Sequence, residues 1–178
     1  MKCIIKYFIA VILALLLLPV VAFFSYDFVV FQPRVAEIKA ILEQVDPQDR
    51  NPPASIPRYI RAAGEQPSRF AARLLLERFN LRRNGSVPWH LRYMLWEKLV
   101  SLHLSESEIL GLYLSLSNDG FNAASRRLFD KPLDKLTDEE SATLVAFFRA
   151  PAFYSHDRQK LEQRRDLLLK KAEESDVR

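Results

Sequence analysis

The chain has 178 residues, 49% hydrophobic and 27% charged, which describes a globular body and not a disordered one. Its formal net charge is +4, falling to roughly +2 once Lys2 and Lys6 are assigned to an N-terminal apolar segment, and no basic–aromatic stripe runs along it, so a nucleic-acid partner is excluded. Gly is scarce at 4 and Pro common at 10, which argues against a turn-rich β sandwich and for helices broken by prolines.

The first element is an anchor. Tyr7 to Phe24 holds no charged residue over about 18 positions, the short end for a spanning helix, and Ile4, Ile5 and the stretch to Tyr26 lengthen it. Lys2 and Lys6 precede it and Asp27 follows. The positive-inside rule then puts the N-terminus in the cytoplasm and the remaining chain on the periplasmic or extracellular side of a bacterial-type inner membrane. Phe23, Phe24 and Tyr26 suit the outer interface. Val20-Val21-Ala22 is where a cleaved signal peptide would end, but the bulky Phe23 and Phe24 behind it favour retention. The single cysteine, Cys3, precedes the apolar run and can form no disulfide within the chain.

Arg34 to Val45 has Val35, Ile38, Ile41, Leu42 and Val45 at helical spacing, and Asp46 to Pro57 is a Pro-rich connector. The expected division is 1–27 anchor, 28–57 juxtamembrane helix and linker, and 58–178 domain. Within the domain, Arg58 to Gly64 is a short helix. Ser68 to Asn80 is another, with Phe70, Leu74, Leu75 and Phe79 on one side. Asn84-Gly85-Ser86 is a turn, and Pro88 opens a helix to about Leu104 that places Trp89 and Trp96 on one side, facing the core, with membrane-interface contact as the alternative. Ser105 with Glu108, and Thr137 with Glu140, have the spacing of capping boxes that open two further helices. Asn118-Asp119-Gly120 stops the first of these and Pro151 the second; Asp157 to about Glu174 is a last, highly charged helix. Tyr113, Leu114, Leu128 and Phe129 are core by spacing. The class is all-α.

Few chemistries fit. His90, His103 and His156 are scattered, with no metal-ligand spacing, and there is no Gly-rich phosphate loop and no nucleophile elbow. No metal or cofactor is expected. Carboxylates remain as candidates for acid–base work.

Five ordered blocks then carry a resemblance. They are Ser105-Glu-Ser-Glu-Ile109-Leu110-Gly-Leu-Tyr113-Leu114-Ser115, Gly120-Phe-Asn-Ala123-Ala124, Leu128-Phe129-Asp-Lys131-Pro132, Leu136-Thr137-Asp-Glu-Glu140-Ser-Ala142-Thr-Leu144, and Ala150-Pro151-Ala-Phe-Tyr154. Their order and spacing resemble the C-terminal half of the glycosyltransferase family 51 domain, the glycan-polymerising module of monofunctional transglycosylases and class A penicillin-binding proteins. The resemblance implies a lysozyme-like all-α fold, here reduced, behind one transmembrane helix. It implies peptidoglycan glycosyltransfer from lipid II.

The N-terminal half resembles the family less. Ile60-Arg-Ala-Ala-Gly-Glu65-Gln66-Pro-Ser-Arg-Phe70 can be laid on the first family motif, A-x-x-A-x-E-D-x-x-F-x-x-H-x-G. Glu65 then falls on the catalytic acid, with Gln66 in place of Asp and the His and Gly absent. The membrane-embedded jaw segment is missing. Arg92 and Glu97 stand for the R-K-x-x-E motif with one residue too many between them, and Ser115 replaces the Asn of Y-L-N. Glu65 is the candidate base for the acceptor hydroxyl. Glu97 is the candidate second carboxylate, acting at the pyrophosphate end or by orienting Arg92. Arg69 and Arg73, four apart on one helix, are candidates to cradle phosphate together with Arg92.

Two functions follow from different classes. One is a membrane-anchored glycosyltransferase of cell-wall synthesis acting on lipid II or the nascent glycan strand. The other is a catalytically inactive relative that binds lipid-linked precursor or other cell-wall synthesis proteins. A glycan hydrolase using Glu65 is a third option, for which no second catalytic carboxylate is evident.

Overall fold

A computed structural model describes residues 2–81, 86–117 and 120–176. No strand occurs among them, in agreement with the all-α reading. Two compact units divide the chain, one ending at Ala40 and the other beginning at Ile41.

The first unit contains α1 (Lys2–Tyr26), a π-helical segment Asp27–Phe31 and the start of α2 (Gln32–Glu43). At 25 residues, α1 measures about 37 Å, more than a hydrocarbon core requires. Leu13, Leu15, Leu16, Leu17, Leu18, Val20 and Val21 all point outward. A helix apolar on every side, with its described side chains from Ile12 to Val21 exposed, has the composition of a membrane span. The stretch from Ile12 to Glu43 contains a window of mean hydropathy 2.3, of which 6% is buried; a signal sequence has the same composition.

The second unit contains α3 (Pro47–Arg50), α4 (Ser55–Ala62), α5 (Pro67–Arg78), α6 (Ser86–His103), α7 (Glu106–Leu116), α8 (Phe121–Phe129), a 3-10 turn Leu133–Lys135, α9 (Asp138–Arg149), α10 (Pro151–Tyr154) and α11 (Arg158–Asp176). Helix α5 packs on α6 and α7, α7 packs also on α3, and α9 packs on α4 and α11. Leu75 and Leu76 of α5 and Trp96, Leu99 and Val100 of α6 are buried. A main core gathers Ile56, Tyr59 and Ile60 of α4, Leu114 of α7, Leu144 and Val145 of α9, and Leu168 of α11.

The two capping boxes start their helices where the sequence puts them. The Glu108 N–H donates to Ser105 Oγ at 3.3 Å and the Ser105 N–H to Glu108 Oε2 at 2.8 Å. The Glu140 N–H donates to Thr137 Oγ1 at 3.2 Å and the Thr137 N–H to Glu140 Oε2 at 2.8 Å. Each box satisfies orphan donors of the first turn, so both starts are locally encoded.

Three expectations meet a different arrangement. The Pro-rich stretch Asp46 to Pro57 carries α3 and the first turn of α4, because Asp46 accepts the Gln48 N–H at 2.8 Å and nucleates a turn. Trp96 is fully buried against Phe79, with ring centroids 5.8 Å apart, whereas Trp89 is half-buried. Seven residues is nearly two turns, but the fully buried residues of α6 among those described are Trp96, Leu99 and Val100. Leu128 is 41% exposed, since α8 buries Phe121, Asn122, Ala124 and Ser125 and ends one residue later. The Asn84-Gly85 turn and the Asn118-Asp119 stop lie outside the described residues.

Candidate functional site

Glu65 owes its position to the end of α4. Gly64 takes φ +69, the Gly64 N–H donates to Arg61 O at 2.9 Å and the Glu65 N–H to Ile60 O at 3.2 Å. These are the paired bonds of a Schellman C-cap, which needs a left-handed residue at the glycine position. The motif ends α4 and leads the chain directly into Glu65. Pro67 then opens α5 two residues later, fixing the other end of the loop.

The Glu65 carboxylate faces Arg149, at the last turn of α9. One Arg149 guanidinium nitrogen donates to Glu65 Oε1 at 3.0 Å and to Oε2 at 3.2 Å. The Glu65 side chain is 5% exposed, Arg149 54%. The pair stands at the side of a cleft of about 210 Å³ between α5, α7 and α9. Phe70, Tyr113 and Phe148 supply its aromatic surface; Phe70 and Tyr113 lie 5.5 Å apart by ring centroid. Burial, and secondarily the charge of Glu65, push the Tyr113 hydroxyl well above the usual phenol range, so it stays a neutral group there. Glu65 also borders a second cavity, of about 410 Å³, with an apolar lining from Ile60, Leu104, Ile109 and Leu110. The residue therefore stands between two cavities.

The other candidates are distributed around α5. Arg73 lines the Glu65 cleft and pairs with Glu77, one turn on, at 3.3 Å. Arg69 pairs with Glu97 across the α5–α6 contact at 3.6 Å. Glu97 lines neither of the cavities that Glu65 borders. Arg92 donates to the Leu81 carbonyl beyond the end of α5 and tethers α6 there. The structure thus brings Glu65 and Arg73 to one cleft and sets Arg69, Glu97 and Arg92 beside it. Each of the three guanidinium groups at Arg69, Arg73 and Arg149 has a carboxylate partner, so the charges compensate locally. No group of three His, Cys, Asp or Glu among the described residues is placed to hold a metal ion.

These helices carry the signature of a known fold. The transglycosylase family model matches residues 76–173, more than half of the chain. The chain belongs to this family. It therefore has the lysozyme-like all-α fold of the glycosyltransferase family 51 domain. No curated protein matches the sequence. The family match takes in α6 to α11 and so includes Arg92, Glu97 and Arg149; Glu65, Arg69 and Arg73 precede it.

Arg149 is the site residue that sequence reasoning does not single out. It stands beside the Ala150-Pro151 block, and a basic residue in the last turn of a helix is ordinary on its own. Its partner lies 84 positions away, so only the fold reveals the pair.

Proposed function

We propose that this transglycosylase-family chain is a membrane-anchored binding module of peptidoglycan biosynthesis, which engages lipid II or the nascent glycan strand without polymerising it. The observation that carries this reading is the Glu65–Arg149 pair. A general base needs a lone pair free to meet the acceptor hydroxyl. Arg149 Nη1 already occupies one acceptor position on each Glu65 oxygen, so an acceptor hydroxyl has to share or displace that guanidinium to reach the carboxylate.

The leaving-group end supports the same reading. Departure of a lipid pyrophosphate calls for cations aimed at the developing charge. Arg73 is balanced by Glu77 and Arg69 by Glu97, and Glu97 stands outside the cleft. What remains is an aromatic-floored, charge-neutral groove suited to holding a polyol.

In this reading residues 1–27 anchor the chain in a bacterial inner membrane with the N-terminus cytoplasmic, and the unit from Ile41 onward forms the binding domain outside. The test is titration of lipid II against the full-length protein in nanodiscs. Saturable binding is expected. Absence of binding to lipid II and to isolated glycan strands would contradict the reading and leave a scaffold for other cell-wall synthesis proteins.

A further inference from the structure

Two cavities share one ion pair. The Arg73–Glu77 pair of α5 lines the Glu65 cleft and also a separate cavity of about 230 Å³, whose other lining comes from Trp89, His90 and Tyr93 of α6. Trp89 and Tyr93 are one turn apart, the spacing at which helix side chains meet. Their ring centroids lie 6.2 Å apart and their planes differ by 17°. Both are half-buried, while Trp96 on the same helix is fully buried. Near-parallel, half-buried aromatic rings with polar edges that line a cavity are a surface for ligands that combine an apolar plane with hydrogen-bonding groups.

The charges select the ligand class. Arg73 is balanced by Glu77, and Arg69, whose guanidinium carbon lies 6.0 Å from the Tyr93 centroid, is balanced by Glu97. An anion gains little from guanidinium groups that are already compensated. A polyol uses both partners, accepting from the guanidinium and donating its hydroxyls to the carboxylate. The C–H face of a pyranose ring is the apolar plane that stacks on an aromatic ring, and the cavity has single-ring size.

We propose that Trp89 and Tyr93 form an outer saccharide subsite, which stacks one ring of a β-1,4-linked amino-sugar chain whose next rings cross the Arg73–Glu77 pair into the cleft beside Glu65. This rests on the reading of that cleft as a glycan-binding site. The subsite adds what that reading lacks, a direction for the strand and a stacking partner for it.

The probe is the β-1,4-linked hexamer of N-acetylglucosamine, titrated against the full-length protein in nanodiscs. The Trp89→Ala and Tyr93→Ala variants should each weaken hexamer binding by about tenfold. Trp89→Phe keeps a ring and should hold affinity within about threefold. The fluorescence change on binding should vanish in Trp89→Phe, because the remaining Trp96 is fully buried; this variant decides the matter should the alanine variants not fold. Inorganic pyrophosphate should not displace the hexamer. Unchanged affinity in folded Trp89→Ala and Tyr93→Ala, a fluorescence change that persists in Trp89→Phe, or displacement by pyrophosphate would each overturn the subsite. If lipid II still binds the native protein in those cases, the cleft reading stands and the subsite alone fails. If neither lipid II nor the hexamer binds, both fail.

Discussion

The carboxylate of Asp49 accepts the backbone N–H of Asn122 at 2.8 Å, across 73 residues of sequence. Helix α8 begins after Gly120, which has no side chain to cap it, so the short helix α3 lends it an acceptor. Asn122 completes the joint, donating from Nδ2 to Asp46 Oδ2 at 2.8 Å and accepting the Leu133 N–H on Oδ1 at 3.0 Å. The arrangement has a cost. Burial pushes the Asp49 carboxyl up to about 6, with the Asn122 N–H bond opposing and the neighbouring Asp46 charge adding to it. The folded chain therefore holds a proton that the unfolded chain, titrating near 3.8, has lost. The stability from protonated Asp49 is present at low pH and is lost as pH rises from about 4 to about 6, by at most about 3 kcal/mol. Asp49→Asn should remove this slope. Urea unfolding of both proteins in detergent across that range checks it: the variant should gain on the native protein as pH rises, and parallel curves would contradict the assignment.

Gly120 sits against the same carboxylate. Its φ of +96 and ψ of 154 belong to a region that essentially only glycine occupies. A Cβ there would come within 2.4 Å of Asp49 Oδ2. Gly120→Ala combines backbone strain with a clash against a buried acceptor, and should cost about 2 kcal/mol or more. A melting temperature within a degree or so of native would mean that this joint yields more easily than its geometry implies.

Ser105→Ala and Thr137→Ala should each cost about 1 kcal/mol through loss of a helix cap. The Thr137 change should reach further, because Glu140 also accepts from Lys131 Nζ at 2.6 Å, and that bond more than any other contact holds the Glu140 carboxyl below its usual range. Chemical denaturation of the two single variants and the double variant measures this; no change in either single variant would rule out the caps as stabilising elements.

What the sequence reveals follows the range of the interactions. The starts of α7 and α9 are legible because Ser105 with Glu108 and Thr137 with Glu140 act over three residues. The apolar α1 and the all-α class are legible for the same reason, since composition and periodicity are local. Glu65 is a candidate by resemblance alone. Its engagement with Arg149 is not, nor is the pairing of Arg69 with Glu97, because each joins helices that only the tertiary fold brings together. Asp46 to Pro57 reads as a linker by its prolines, and its carboxylates find their purpose 73 and 76 residues downstream. Trp89 reads as core by helical phase, which carries no record of how deeply each turn of α6 is buried.

Membrane topology has its own test. Lys2 and Lys6 stand before the apolar helix and Asp27 directly after it. A C-terminal fusion to alkaline phosphatase should be active, as for a chain whose C-terminus lies outside the cytoplasm. An inactive phosphatase fusion, with an active cytosolic reporter at the same position, would reverse the orientation.

The central claim is binding without polymerisation, and glycan-strand formation from purified lipid II tests it most directly. The native protein and Glu65→Gln are compared, both full-length in detergent. A positioned base and its electrostatic surroundings are together worth many kcal/mol of transition-state stabilisation, so their loss is not a matter of a few-fold. The expected result is no strand, or barely detectable strand, from either protein, with lipid II binding retained. Robust polymer from the native protein, abolished in Glu65→Gln, would contradict the claim and make Glu65 the catalytic base.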